Sequence, residues 1–138
     1  MNRTDFQDLA KVRLDEAKTL LDQMKYDGAY YLAGYAVECG LKACIAKLTN
    51  QNDFPRDRKF IEKCYSHDFT DLLKASGLLD EFEQHTKVDA VLSGNWVIVA
   101  AWNESSRYVR KGQVEAEALF EAITEAIHEV MPWIEKRW

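Results

Sequence analysis

The chain predicts an all-α fold: an antiparallel up-and-down bundle of four to five helices, forming one domain over residues 1–138. Three observations carry this. Apolar residues recur every three or four positions through the opening segment, the stretch from Asp27 to Lys47 is apolar nearly all the way round a helix, and the long segment from Gln113 has a single apolar face.

Thr4 and Gln7 have the spacing of a capping box, so a first helix starts there and presents Phe6, Leu9, Ala10, Leu14, Ala17, Leu20, Leu21 and Met24. Asp27 and Gly28 interrupt the pattern, with Asp27 placed to cap the second helix. So short a connection makes the first two helices an antiparallel hairpin. From Thr49 to Tyr65 periodicity is lost, and Asn50, Asn52, Asp53 and Pro55 mingle with Arg56, Arg58, Lys59 and Lys63 as a long basic loop.

Ser66 can cap a short third helix carrying His67, Phe69, Leu72 and Leu73, which Ser76-Gly77 ends. A fourth stretch runs from Leu79 to Leu92, and Ser93-Gly94-Asn95 breaks or bends it. The apolar run Trp96–Trp102 suits a buried strand as well as a helix. A lone strand would have no partner, so the run reads as helix with Trp96, Val99 and Ala100 inward. After a polar turn from Asn103 to Gly112, the last helix buries Ala116, Leu119, Phe120, Ile123, Ile127, Val130 and Ile134, and Pro132 bends or stops its end.

Apolar residues make 47% of the chain and charged residues 30%, the balance of an ordered domain with its own core. A net charge of −5 argues against coating nucleic acid over the whole surface, and it leaves room for a local basic patch. No run reaches the roughly 18 apolar residues of a membrane span, and no basic start leads into an apolar core, so a cytoplasmic protein that contacts no membrane is expected. Cys39, Cys44 and Cys64 are odd in number and two lie on the apolar helix, which makes them reduced core residues.

Candidate chemistry starts on the second helix. At about 100° per residue, Tyr31, Tyr35, Glu38 and Lys42 share one narrow strip on an otherwise apolar cylinder. Glu38 and Lys42 have the favourable acid-first spacing of an ion pair, worth about 0.2–0.5 kcal/mol on an open surface. The alternative is a pair turned toward a cleft or a partner. His67 reads first as a capping or packing residue and second as a general base. Cys64 and His67 have the spacing of two metal ligands, but Cys39 and Cys44 diverge round their helix and complete no zinc set; neither metal nor cofactor is expected. His85 and His128 each stand among ordinary helix-surface residues. The turn with Arg107, Tyr108, Arg110 and Lys111 collects three cations and an aromatic, which can hold phosphates and stack on a base. Phosphate-cradling Gly-rich loops, nucleophile elbows and HExxH motifs are absent.

Taken in order, these residues resemble the HEPN domain, the higher eukaryote and prokaryote nucleotide-binding family. The second-helix run Ala29–Ala43 is similar to its aromatic-and-Ala pattern followed by A-x-E-x-x-L-K, His67 with Leu72-Leu73 to its H-x-x-x-x-L-L element, and Arg107-Tyr108 to its late RY pair. The resemblance implies a helical bundle that forms a homodimer, often paired with a nucleotidyltransferase in a toxin–antitoxin module. It also implies a site for nucleotide or RNA in which Arg107, Arg110 and Lys111 hold phosphate and Tyr31, Tyr35, Glu38, Lys42 and Tyr108 line the adjoining cleft or interface. Active members are metal-independent ribonucleases that use an Arg followed four to six residues later by His. Here Arg107 is followed at that spacing by Lys111, Gly112 and Gln113. The chain therefore reads as a binding module lacking the usual motif; the alternatives are a ribonuclease toxin using Arg107 with His67, and a structural dimerisation module joined through its second helix.

Overall fold

In the computed structural model, which describes residues 1–49, 54 and 57–138, α1 (Arg3–Asp22) and α2 (Tyr26–Leu48) form the antiparallel hairpin and the most extensive helix pair. Asn2 and Asp5 close the capping box, two residues earlier than Thr4 and Gln7. Asp27 does not cap α2; it lies in the first turn, and Lys25 occupies the N-cap. Met24 turns the chain between the helices at φ 57°, where a side chain is tolerated at some cost.

The second helix is the central element. It packs against α1 on one side, against α7 (Gln113–Thr124) and α8 (Val130–Glu135) on another, and against α4 (Phe69–Ala75) and a 3₁₀ turn (Glu104–Tyr108) on a third. A helix enclosed on three sides needs apolar residues all round, which accounts for its composition.

The basic segment after α2 is not all loop. Asn50–Asp53, Pro55 and Arg56 lie outside the described residues, but Arg58–Cys64 forms α3, capped by the Asp57 carboxylate on the Phe60 amide. Asp68, not Ser66, caps α4. Gly77 ends that element at φ 74°, a left-handed conformation suited to glycine.

The stretch from Leu79 divides at Asp89 into α5 (Leu79–Val88) and α6 (Ala90–Ala100), and Ser93-Gly94-Asn95 runs through α6 unbroken. Asp89 accepts from the amides of both Val91 and Leu92, so α6 starts afresh there. Leu92 and Val99 are buried and Trp96 packs inward, but Ala100 faces out. Phe69, Phe82, Trp96, Trp102 and Trp133 join α4, α5, α6 and α8 in one aromatic cluster, with ring centroids 4.7–6.2 Å apart.

The final helix also ends early. α7 stops at Thr124, and α8 takes Pro132 in its first turn, where a missing amide costs no helical bond. Ile127 falls in the connection and is 83% exposed instead of joining the core. The architecture is all-α; among the described residues there is no strand and no helix long and apolar enough to cross a membrane.

Candidate functional site

The polar strip of α2 contains a buried carboxylate. Glu38 is 2% exposed because α4, the segment before it and the 3₁₀ turn cover that side of the helix. Lys42, one turn on, places Nζ 2.8 Å from Glu38 Oε1. His67, held just ahead of α4, places Nδ1 3.0 Å from both oxygens of the same carboxylate. On the far side of the imidazole, Nε2 lies 2.9 Å from Glu104 Oε2 at the start of the 3₁₀ turn.

Lys42, Glu38, His67 and Glu104 thus form a continuous polar chain from the core to the surface. Carboxylates only accept, so His67 bonds through Nδ1–H to Glu38 and through Nε2–H to Glu104, both at once when both nitrogens carry protons. Burial between Lys42 and His67 changes the energetics of Glu38. Removing one partner of a buried pair strands a charge, which costs far more than a surface pair contributes.

Beside His67 opens a cleft of about 390 Å³, bordered by Ser66, Asp68, Trp102, Asn103 and Glu104. Trp102 fixes its floor. The indole stacks on Phe69 at 5.2 Å and 3°, lies 5.9 Å from Tyr31, and rests directly over Gly34. Its Nε1 is buried without an acceptor among the described residues. Tyr31 and Tyr35 stack on each other at 6.1 Å as part of the packing behind the cleft, and neither lines it. Burial, with Cys39, Glu38 and Tyr31 nearby, raises the Tyr35 phenol above its ordinary pKa. Burial likewise lifts the Cys39 and Cys44 thiols to about 11. No disulfide forms.

The cations of the late turn separate. Arg110 Nε lies 2.7 Å from Asp27 Oδ2, the Lys111 amide donates to Asp27 Oδ1, and Lys111 Nζ sits 4.6 Å over the Tyr30 ring. These two residues fasten the turn to the start of α2. Arg107 is different. Its guanidinium lies 4.8 Å over the Tyr108 ring, and it pairs with no carboxylate among the described residues. In a 3₁₀ turn residues three apart eclipse, so Arg107 shares the side of Glu104. Tyr108 is 79% exposed.

Of the residues singled out by sequence, the structure joins Glu38, Lys42 and His67 directly, and it places Arg107 and Tyr108 one turn beyond. Glu104 is the member that sequence reasoning missed; its only local signal is its place three residues before Arg107. Among the described residues no three His, Cys, Asp or Glu side chains are grouped to hold a metal ion. Comparison of the chain with protein-family models, curated proteins and solved structures finds no match.

Proposed function

We propose that this chain is a HEPN-like helical module that binds nucleotide or RNA, alone or within a nucleotidyltransferase-type partnership, through the surface formed by the 3₁₀ turn and His67. The observation that carries the reading is the state of Arg107 and Tyr108: an exposed guanidinium with no carboxylate partner among the described residues, beside an exposed aromatic ring, on the 3₁₀ turn whose first residue, Glu104, borders an imidazole-bearing cleft. A guanidinium offers paired donors to phosphate and a phenol offers a face to a base. Arg110 and Lys111, fastened to Asp27 and Tyr30, position that turn and add charge from its flank.

The test is a titration of labelled single-stranded RNA, and of adenosine monophosphate, at fixed low salt. Arg107→Ala should weaken binding about tenfold or more, and the salt slope on RNA should fall by about 0.7. Equal affinities for wild type and variant would sink the reading.

A ribonuclease is the second reading, and one observation favours it. Glu38 orients His67 through Nδ1 much as a buried carboxylate orients a catalytic imidazole, while Nε2, on a side chain 43% exposed, meets Glu104 at the cleft and would have to leave that carboxylate to serve a substrate. Growth arrest on expression that both Arg107→Ala and His67→Ala abolish would support it, whereas harmless expression of the wild type opposes it.

A further inference from the structure

A second cleft, formed by α5, α6, the α7–α8 connection and α8, encloses about 210 Å³, the space of roughly seven waters at ~30 Å³ each. Its wall includes Glu129, which is 3% exposed and whose Oε1 is buried with no hydrogen-bond partner among the described residues. A carboxylate oxygen taken out of water without a donor is unfavourable, and His128, which feels the charge of Glu129, bonds instead to Asp89.

The other neighbours of Glu129 do not supply one. Asp89 is engaged twice over, Oδ1 by the Val91 and Leu92 amides and Oδ2 by His128 Nδ1 at 2.7 Å. His85 Nδ1 accepts from Trp133 Nε1 at 2.7 Å. The backbone oxygen of His128 takes Asn95 Nδ2 at 2.8 Å. These bonds fix the wall and leave Glu129 as its unsatisfied acceptor. Lys136 borders the same cleft, but it is exposed and pairs with no carboxylate among the described residues. Val88 and Ile127, both largely exposed, add an apolar surface at the rim.

We propose that this cleft binds a small aliphatic primary amine, its ammonium donating to Glu129 and its alkyl chain lying on Val88 and Ile127. An ammonium brings the three donors that the buried carboxylate lacks, and a short methylene chain suits both the volume and the rim. A metal ion fits less well, since no three ligating side chains are grouped there among the described residues.

The three histidines make the test internal, because His85 and His128 border this cleft and His67 belongs to the other. Putrescine and n-butylammonium are titrated into the full chain while the imidazole proton signals are followed by NMR. Saturable shifts of His85 and His128 are expected, with an affinity on the order of 1 mM, while His67 stays still. Tetramethylammonium, which has no N–H, should leave all three unmoved. Glu129→Gln, nearly isosteric, should weaken amine binding at least tenfold with unchanged circular dichroism. No saturable shift up to about 10 mM, movement of His67 alongside the others, or undiminished binding by folded Glu129→Gln would each overturn the proposal; should the variant not fold, the wild-type pattern decides.

Discussion

Gly34 shows how one missing side chain sets the floor of the first cleft. A Cβ there would lie 2.3 Å from Cδ1, Cε2 and Nε1 of Trp102, inside the rigid part of an indole already held by Phe69 and Tyr31. At Gly28 the closest approach is 3.1 Å, to the Cδ1 methyl at the end of the Leu20 side chain, which can yield. Gly34→Ala should therefore destabilise the chain by ~1–3 kcal/mol, and the shift should appear as a lower urea midpoint with altered Trp fluorescence. Gly28→Ala, with a flexible neighbour, should cost less; equal midpoints for the two variants would contradict the packing argument. Sequence placed Gly34 on a helix apolar nearly all the way round, but it could not name the indole, because Trp102 lies far along the chain and reaches Gly34 only through the fold.

At the scale of elements, α6 combines a strong local signal with a misplaced boundary. Its apolar run reads as helix, yet the break falls at Asp89 and not at Ser93-Gly94-Asn95. The Asp89 carboxylate satisfies two free amides, while Asn95 turns to the His128 carbonyl and leaves the helical ladder intact. Propensity favoured a break near Gly94; burial of Leu92, Trp96 and Val99 overrides it. The Asp89–His128 pair also ties the start of α6 to the α7–α8 connection. The hydrogen bond to Asp89 raises the His128 pKa, and the Leu92 amide, then His128, lowers that of Asp89. A raised folded value stabilises fully below the unfolded value, near 6.5, and its contribution fades as pH rises through the folded value. The depressed carboxyl contributes above its unfolded value, near 3.9, and fades as pH falls. The melting-temperature gap between wild type and His128→Gln should thus be wider at about pH 5.5 than at about pH 8.5; a gap independent of pH would remove the linkage. The outer face of the same helix bears on the homodimer that the family resemblance implies. Val91, Val97 and Ile98 are exposed on a helix with no charged residue, and nothing stands within 4 Å of a Cβ on Gly94. If a second copy covers this face, Val97→Asp with Ile98→Asp should shift sedimentation toward monomer, and an unchanged mass distribution would exclude α6 as the interface.

For the molecule as a whole, Glu38 joins three parts of the fold at one carboxylate: α2 through Lys42, the entry to α4 through His67, and the 3₁₀ turn through the His67–Glu104 contact. Glu38 and Lys42 were legible because a charged pair on an apolar helix stands out, and His67 because it opens a helix. Their convergence was not legible, since helical spacing speaks only for neighbours within one element and Glu104 lies 66 positions from Glu38. The arrangement makes a cooperative demand. With either Lys42 or His67 replaced, Glu38 keeps one partner and a partial hydrogen-bond set. With both replaced, a carboxylate 2% exposed has none of its present side-chain partners, the situation that costs about 3–5 kcal/mol. Unfolding free energies of Lys42→Met, His67→Ala and the double variant should consequently be non-additive, the double losing ~1 kcal/mol or more beyond the sum of the singles. In a background carrying Glu38→Gln the excess should vanish, because an uncharged amide no longer requires both partners. Additivity within a few tenths of a kcal/mol in the Glu38 background would mean that water reaches this carboxylate, and that Glu38 does not hold His67 at the cleft.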